Sequence, residues 1–399
     1  EKAAVLYKKH GAKKDAEGFS NEENSYEGYY TNVEKMERHV VTKPTPKYHL
    51  TLTTYIEGAG SLDRMGDKRS GYAFAIWKSG IRAKVEKGIL NVVAEISEKK
   101  ADKTEIIIDK LTLDVFGFSR GAAAARNFIH EILSEKNGTS LKNRLEDQGY
   151  TVNAKAVEIC FAGLYDTVST WGLGVAVGLA NNTNALKLHA ITHAQQTIHL
   201  TSADEHRVFF SLTDIKSAGG QGKEFFLPGV HSDIGGGYRD AAVERQVIFE
   251  GGDFSLSDAE KDRAQLIAAG WYKEDEITLE RAYSEGGEST SLEVRRSGIH
   301  NHYSRIPLHI MARYARDNGI VINGQLERDE KIPDALSDVR QRIEDYIAKT
   351  SQSKADDWHG NDRQLRDLRH DYLHFSARRQ IGHDPRFYQG KRHRVVHGG

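Results

Sequence analysis

Ser119 stands in the string Gly117-Phe118-Ser119-Arg120-Gly121. A mostly apolar run, Leu111 to Phe116, precedes it, and four alanines ending on Arg126 follow it. The first run favours a strand and the second a helix. A serine on so sharp a strand-to-helix turn is held out as a nucleophile. Glycines two residues to either side leave room for the turn because they carry no Cβ. The helix beyond aims its free N–H groups and positive dipole end at the place where an oxyanion would form. The chemistry this implies is attack on a carbonyl carbon. The plain alternative is a Gly-rich βα turn in some other α/β protein, with a serine there by chance.

A serine nucleophile needs a base, and the base needs an acid to fix its tautomer. In the α/β-hydrolase fold the chain order is Ser, then Asp or Glu, then His, with the partners on loops at strand ends. Asp166 is the first charged residue after the apolar run Ile159 to Tyr165. His231 lies in a glycine-flanked loop directly after a short strand at Glu224 to Leu227. Read plainly, Asp166 would be a strand-end turn residue and His231 a loop histidine bonded to Asp233. The chain has 18 histidines, and His300, His302 and His309 are later rivals. His231 has the better position because its loop leaves a strand. The Arg120 backbone N–H would be one oxyanion donor. Gly58, in the loop Glu57-Gly58-Ala59-Gly60 after an early strand candidate, is the candidate for the second.

The elements that must position these residues alternate. Tyr48 to Ile56 is rich in β-branched and aromatic residues and reads as a strand. Tyr72 to Lys99 reads as one or two helices broken near Ser79-Gly80. Glu105 to Phe116 contains the strand before Ser119, Arg126 to Leu145 is mostly helical, and Ala154 to Tyr165 is a buried strand. Thr192 to Thr201 reads as a helix, and Val208 to Leu212 as a short strand. Alternation of this kind predicts an α/β fold: an α/β-hydrolase-like, mostly parallel sheet with helices on both faces. After about residue 245 the pattern turns helical and charged, with no strand of comparable strength. The expected organisation is a catalytic core over 1–245, with a polar N-terminal excursion, and a mainly helical C-terminal region over 246–399 packed on it.

The 399 residues carry a formal net charge of -1, with 38% hydrophobic and 28% charged residues. That balance gives no basic footprint for nucleic acid. No apolar run is long enough to cross a bilayer, and no Sec-type signal peptide is evident. The single cysteine, Cys160, excludes an internal disulfide framework and reads as a buried, inert thiol. His370 and His374, and likewise His189 and His193, share the spacing of a zinc pair on a helix but lack a third ligand, so they read as surface pairs and no metal is expected. Gly219 to Lys223 lacks the Ser or Thr and the helix of a phosphate loop. Asp204, Glu205 and Arg207 read as structural ion pairs or turn contacts. Trp171 to Ala180, uncharged and apolar, reads equally as an acyl-chain-contacting lid or as a packing segment. The basic tail Lys391 to His397 decides nothing.

Four strings in order, Gly117-Phe118-Ser119-Arg120-Gly121-Ala122, Tyr165-Asp166-Thr167-Val168, Asp204-Glu205-His206-Arg207 and Gly229 to Tyr238, resemble a family of α/β-hydrolases with a GFSRGA elbow. Its best-known members are phospholipase effectors of bacterial type VI secretion, of the first lipase-effector class. The resemblance spans roughly residues 48 to 320. It implies a serine phospholipase A with Ser119, Asp166 and His231 as the triad and no cofactor. It further implies membrane phospholipid as substrate, a secretion-spike protein and an immunity protein as partners, and delivery into a rival cell's periplasm. Glu57 and Ala59 replace the Asp and Thr of the family's early strand-end turn, which leaves the second oxyanion donor open. Alternatives are a soluble carboxylesterase and a hydrolase-fold binding module without catalysis.

Overall fold

A computed structural model describes residues 30–58, 80–98, 106–134, 140–170, 181–251, 256–284, 287–379, 382–388 and 391–399. Residues 1–29, Gly60 and the segment Trp171 to Ala180 lie outside the described residues, so the reading of that segment as lid or packing is not addressed. In chain order the elements are α1 (Asn32–Glu37), α2 (Ile81–Glu98), β1 (Ile106–Ile108), β2 (Leu111–Phe118), α3 (Arg120–Leu133), α4 (Leu141–Asp147), β3 (Tyr150–Val152), β4 (Val157–Tyr165), β5 (Ala194–Ser202), β6 (Leu212–Thr213), β7 (Gly222–Leu227) and α5 (His231–Gly235). There follow β8 (Ala242–Gly251), α6 (Leu256–Ala268), β9 (Ile277–Ser284), β10 (Gly287–Ile299), α7 (Arg305–Asp317), α8 (Ser337–Lys349), α9 (Arg363–Tyr372), β11 (Phe387–Tyr388), β12 (Lys391–Arg392) and β13 (Val396–His397).

The central sheet runs β2-β4-β5-β7, and every neighbouring pair in it is parallel. Its β4 is buried along most of its length, as a strand covered on both faces must be. On one face Val115, Ala162 and Leu164 pack with Ile81, Val85 and Ile89 of α2 and Ala122, Ala123 and Ile129 of α3. The alanines of α3 let its backbone approach the sheet closely. On the other face Phe161, Tyr165, Ile198 and Leu200 pack with Ile306, Ile310 and Met311 of α7 and with Leu373. The α/β-hydrolase-like, mostly parallel sheet with helices on both faces stands as expected.

Three sequence expectations are corrected. The stretch Thr192 to Thr201, expected as a helix, is strand β5 after a short 3-10 turn (Leu188–His193). The run Thr197-Ile198-His199-Leu200-Thr201 alternates polar and apolar residues as a strand does, and parallel pairing with β4 and β7 buries both sets. Conversely, no ladder assigns Tyr48 to Ile56 to a strand. Two of its hydroxyls pair with neighbouring side chains instead: Thr53 donates to Glu37 at 2.6 Å, and Asn91 donates to Thr54 at 3.5 Å. Beyond residue 245 the structure holds a three-stranded antiparallel sheet, β8-β10-β9, where no strong strand was expected. The helices α6 to α9 and the short helix Gln325–Asp329 lie in the same region. The boundary expected at 245 falls inside β8, and the core around Phe161 and Tyr165 continues through Phe249, Leu292 and Leu365.

Candidate active site

Strand β2 delivers the chain to Ser119, and α3 starts one residue later. Ser119 has φ 60 and ψ -127, a conformation that non-glycine residues rarely adopt and that the surrounding structure must enforce. The enforcement is visible. Ser119 N–H donates to Tyr165 O at 3.0 Å, and the Ser119 carbonyl accepts from Ala122 at 3.0 Å and Val168 at 3.3 Å. The two elbow glycines differ. A Cβ on Gly117 would lie 2.6 Å from the backbone of Ala122, whereas one on Gly121 would meet nothing within 4 Å. Only Gly117 is therefore required for the turn, which corrects the expectation for Gly121. Because α3 begins at Arg120, the positive end of its dipole lies at the elbow, where Ser119 O accepts from Ala122 and Ala123.

Asp166 follows β4 directly, fully buried, with φ 41. Its Oδ2 accepts from Nδ1 of His231 at 2.5 Å, and its Oδ1 accepts from Ser202 N–H at 2.9 Å. Arg394, from the basic tail, grips both carboxylate oxygens, Nη1 to Oδ1 at 2.7 Å and Nη2 to Oδ2 at 2.9 Å. Burial alone would push this carboxyl up. Arg394 and His231 outweigh it and hold Asp166 well below the usual carboxylate range.

His231 opens α5 and is 4% exposed. Its ring lies 4.5 Å, centroid to centroid, from Phe118, the residue before Ser119, and 5.0 Å from Phe210 in an edge-on contact. Burial pulls the imidazole below its ordinary pKa, against the upward pull of Asp166. The ring is thus neutral near pH 7, with Nδ1 fixed as donor to Asp166 and Nε2 as the basic nitrogen. The loop that carries it is anchored by two buried carboxylates. Val230 N–H donates to Asp233 at 3.0 Å, and His231 N–H donates to Glu205 at 3.3 Å. Gly229 turns the chain into this loop with φ 106, where a Cβ would meet Asp233 Cβ at 2.8 Å.

The structure thus gathers the ends of β2 and β4 and the start of α5, with Phe118, Asp166 and His231 in one contact group. Gly58 is exposed, and its neighbour Glu57 is tied to Lys84 and Lys87 of α2 at 2.5 and 2.8 Å. The rival histidines sit elsewhere. His300 and His302 flank Asp240 at 3.0 and 3.5 Å near the surface, and His309 bonds Glu330 O at 2.9 Å. Among the described residues, Asp240, His300 and His302 form the group that could converge on a metal ion, their ligand atoms within 4.8 Å of one another.

His374 lies past the end of α9, buried against Asp233 at 2.8 Å and stacked on Tyr238, so it is neither a zinc ligand with His370 nor the surface residue expected. Glu205 and Arg207 form the expected ion pair, at 2.8 Å and buried. Cys160 is half-buried rather than buried, and desolvation pushes its thiol up, away from reactivity.

Two functional neighbours escaped the sequence reading. Arg394 is one. The other is the pair His199 and Glu224: Thr167 N–H donates to His199 Nε2 at 3.0 Å, so Nδ1 carries the proton and donates to Glu224 at 2.7 Å. This pair braces the residue next to Asp166. A buried carboxylate that must stay ionised demands a cation, and that demand is the one signal that could have pointed to an arginine without naming which.

Residues 130–259 match the family described as "T6SS, Phospholipase effector Tle1-like, catalytic domain". The matched segment includes Asp166 and His231, and Ser119 precedes it. No curated protein matches the sequence. Among solved structures, the chain is similar to "Structure of the Tle1 effector bound to the VgrG spike from the Type 6 secretion system", with a TM-score of 0.62 at 22% identity, covering 88% of this chain and 74% of that one. An uncharacterized protein from Pseudomonas aeruginosa aligns with a TM-score of 0.33 at 18% identity, over 73% of this chain and 35% of that one. In sequence across residues 130–259, and in fold across most of its length, the chain is similar to the Tle1-like phospholipase effectors of type VI secretion.

Proposed function

We propose that the chain is a serine phospholipase A of the type VI secretion effector kind, hydrolysing acyl esters of glycerophospholipids. The observation that carries the proposal is the buried Asp166–His231 pair beside the strained Ser119 elbow. In this reading Ser119 Oγ attacks the ester carbonyl while His231 Nε2 takes its proton. The imidazolium then returns that proton to the leaving alcohol, and water, activated by the same ring, releases the fatty acid. Asp166 holds the tautomer and stabilises the imidazolium. The Arg120 N–H at the start of α3 supports the developing oxyanion, with Gly58 as a candidate second donor. By analogy with the spike-bound relative, the chain would ride on a spike protein to a rival cell's periplasm, where phospholipid is within reach, and an immunity protein would protect the producer.

The test is fatty-acid release from phospholipid vesicles by the unaltered chain and by Ser119→Ala. Release that vanishes in the variant is the expected result, and equal release from both overturns the proposal. Activity on short soluble esters without vesicle hydrolysis would turn the reading to a carboxylesterase. Inactivity on both substrates would turn it to a binding module.

A further inference from the structure

The last described stretch, residues 391–399, is threaded through the fold rather than laid on it. Val396 and His397 of β13 pair in parallel with Leu212 and Thr213 of β6. Leu212 N–H donates to Val395 O at 2.9 Å, Asp214 N–H donates to His397 O at 2.9 Å, and Gly399 N–H donates to the Asp214 carboxylate at 2.9 Å. Arg392 reaches Asp262 at 2.6 Å. Between these anchors, Arg394 is aimed inward. Besides its fork on Asp166, its Nε donates to Phe210 O at 2.8 Å and its Nη1 to Ser202 Oγ at 2.8 Å. Its side chain is 8% exposed. A planar fork on both oxygens fixes the plane of a carboxylate as a lysine cannot.

We propose that Arg394 is a positioning residue for the acid of the Ser119–His231–Asp166 site, delivered by the segment between β12 and β13; this rests on the functional reading above. Arg394 does not touch substrate. It keeps Asp166 ionised in a buried place and turns Oδ2 toward Nδ1 of His231. It also offsets part of the negative charge that His231 faces. The other charged or titratable groups around His231 are Glu205 and Arg207 from the loop after β5, with His383 beyond Phe210 near Arg207. On its own helix, Asp233 is already paired with His374.

Removing the guanidinium acts in one direction on pH dependence. An unpaired, buried Asp166 takes up a proton at higher pH. Where it remains ionised, its uncompensated charge raises the pKa of His231. Both effects move the acid limb of kcat/KM upward.

The experiment compares pH profiles of kcat and KM on a soluble short-chain ester for the full chain, Arg394→Gln and Arg394→Lys, with Ser119→Ala alongside. For Arg394→Gln we expect kcat lowered by roughly tenfold or more, KM within about twofold, and an acid limb shifted to higher pH. For Arg394→Lys we expect the limb near its original place, because the charge stays, with kcat still reduced, because the fork is lost. A profile for Arg394→Gln that superimposes on the unaltered chain overturns the inference. If Arg394→Gln does not fold, Arg394→Lys decides: unchanged kcat overturns it. Full activity of Ser119→Ala would instead overturn the functional reading, whatever the Arg394 variants do.

Discussion

His231 with Asp166 and His199 with Glu224 are the same chemical pair, an imidazole donating through Nδ1 to a carboxylate, at 2.5 and 2.7 Å. Both rings are buried, and both pairs lie along the central sheet. They differ in what surrounds Nε2. In His199 it accepts the Thr167 N–H at 3.0 Å, which leaves that imidazole a fixed bracket between β5, β7 and the Asp166 turn. In His231 the ring stands between Phe118 and Phe210, next to the strained serine. They differ again in the acid. Asp166 is gripped by Arg394, whereas the side chain of Glu224 is 23% exposed and reaches solvent. The His199 pair is therefore a scaffold, its second nitrogen filled by a backbone donor, whereas the proposed function makes the His231 pair the proton carrier.

Substitutions can break this contrast. Asp166→Asn should have the larger effect on chemistry, lowering kcat of the folded fraction by roughly 10²–10⁴, because the amide favours the wrong tautomer of His231, and it should also cost stability because Arg394 loses its counter-charge. Steady-state kinetics with a thermal melt as control would check it, and near-normal kcat would remove Asp166 from the mechanism. His199→Leu should act on stability far more than on chemistry. It leaves the Thr167 N–H and the Glu224 carboxylate without their partner, so stability should fall by about 2 kcal/mol or more. The kcat of the folded fraction should drop less than tenfold. Denaturant unfolding beside active-site titration separates the two effects. A His199 variant that is stable but inactive would show that the two pairs are not divided as scaffold and proton carrier.

What was legible in the sequence follows the same division. The turn at Ser119 could be read because β2, the elbow and α3 are contiguous, and each has a strong local preference. Asp166 and His231 could be read because each directly follows a recognisable strand. Strand β5 was misread although Thr197 to Thr201 alternates polar and apolar residues; the polar set is buried, and the bonds of His199 and Thr201 to Glu224 and Phe225 of β7 form only in the folded sheet. The antiparallel sheet after 245 was missed because strands such as Val243 to Glu250 set three polar residues, Glu244 to Gln246, before Val247 to Phe249, with neither a two-residue alternation nor a long apolar run. Arg394 could not be read at all. Its meaning depends on a contact with a residue 228 positions away, next to the pairing of β13 with β6.

The most direct test of the central claim is to label the protein with a fluorophosphonate probe and locate the adduct by peptide mass spectrometry, in the unaltered chain and in His231→Ala. The account predicts an adduct on Ser119 that forms readily in the unaltered chain and is lost or strongly slowed in His231→Ala. Labelling of a different residue, or equal labelling of Ser119 in both, would contradict it.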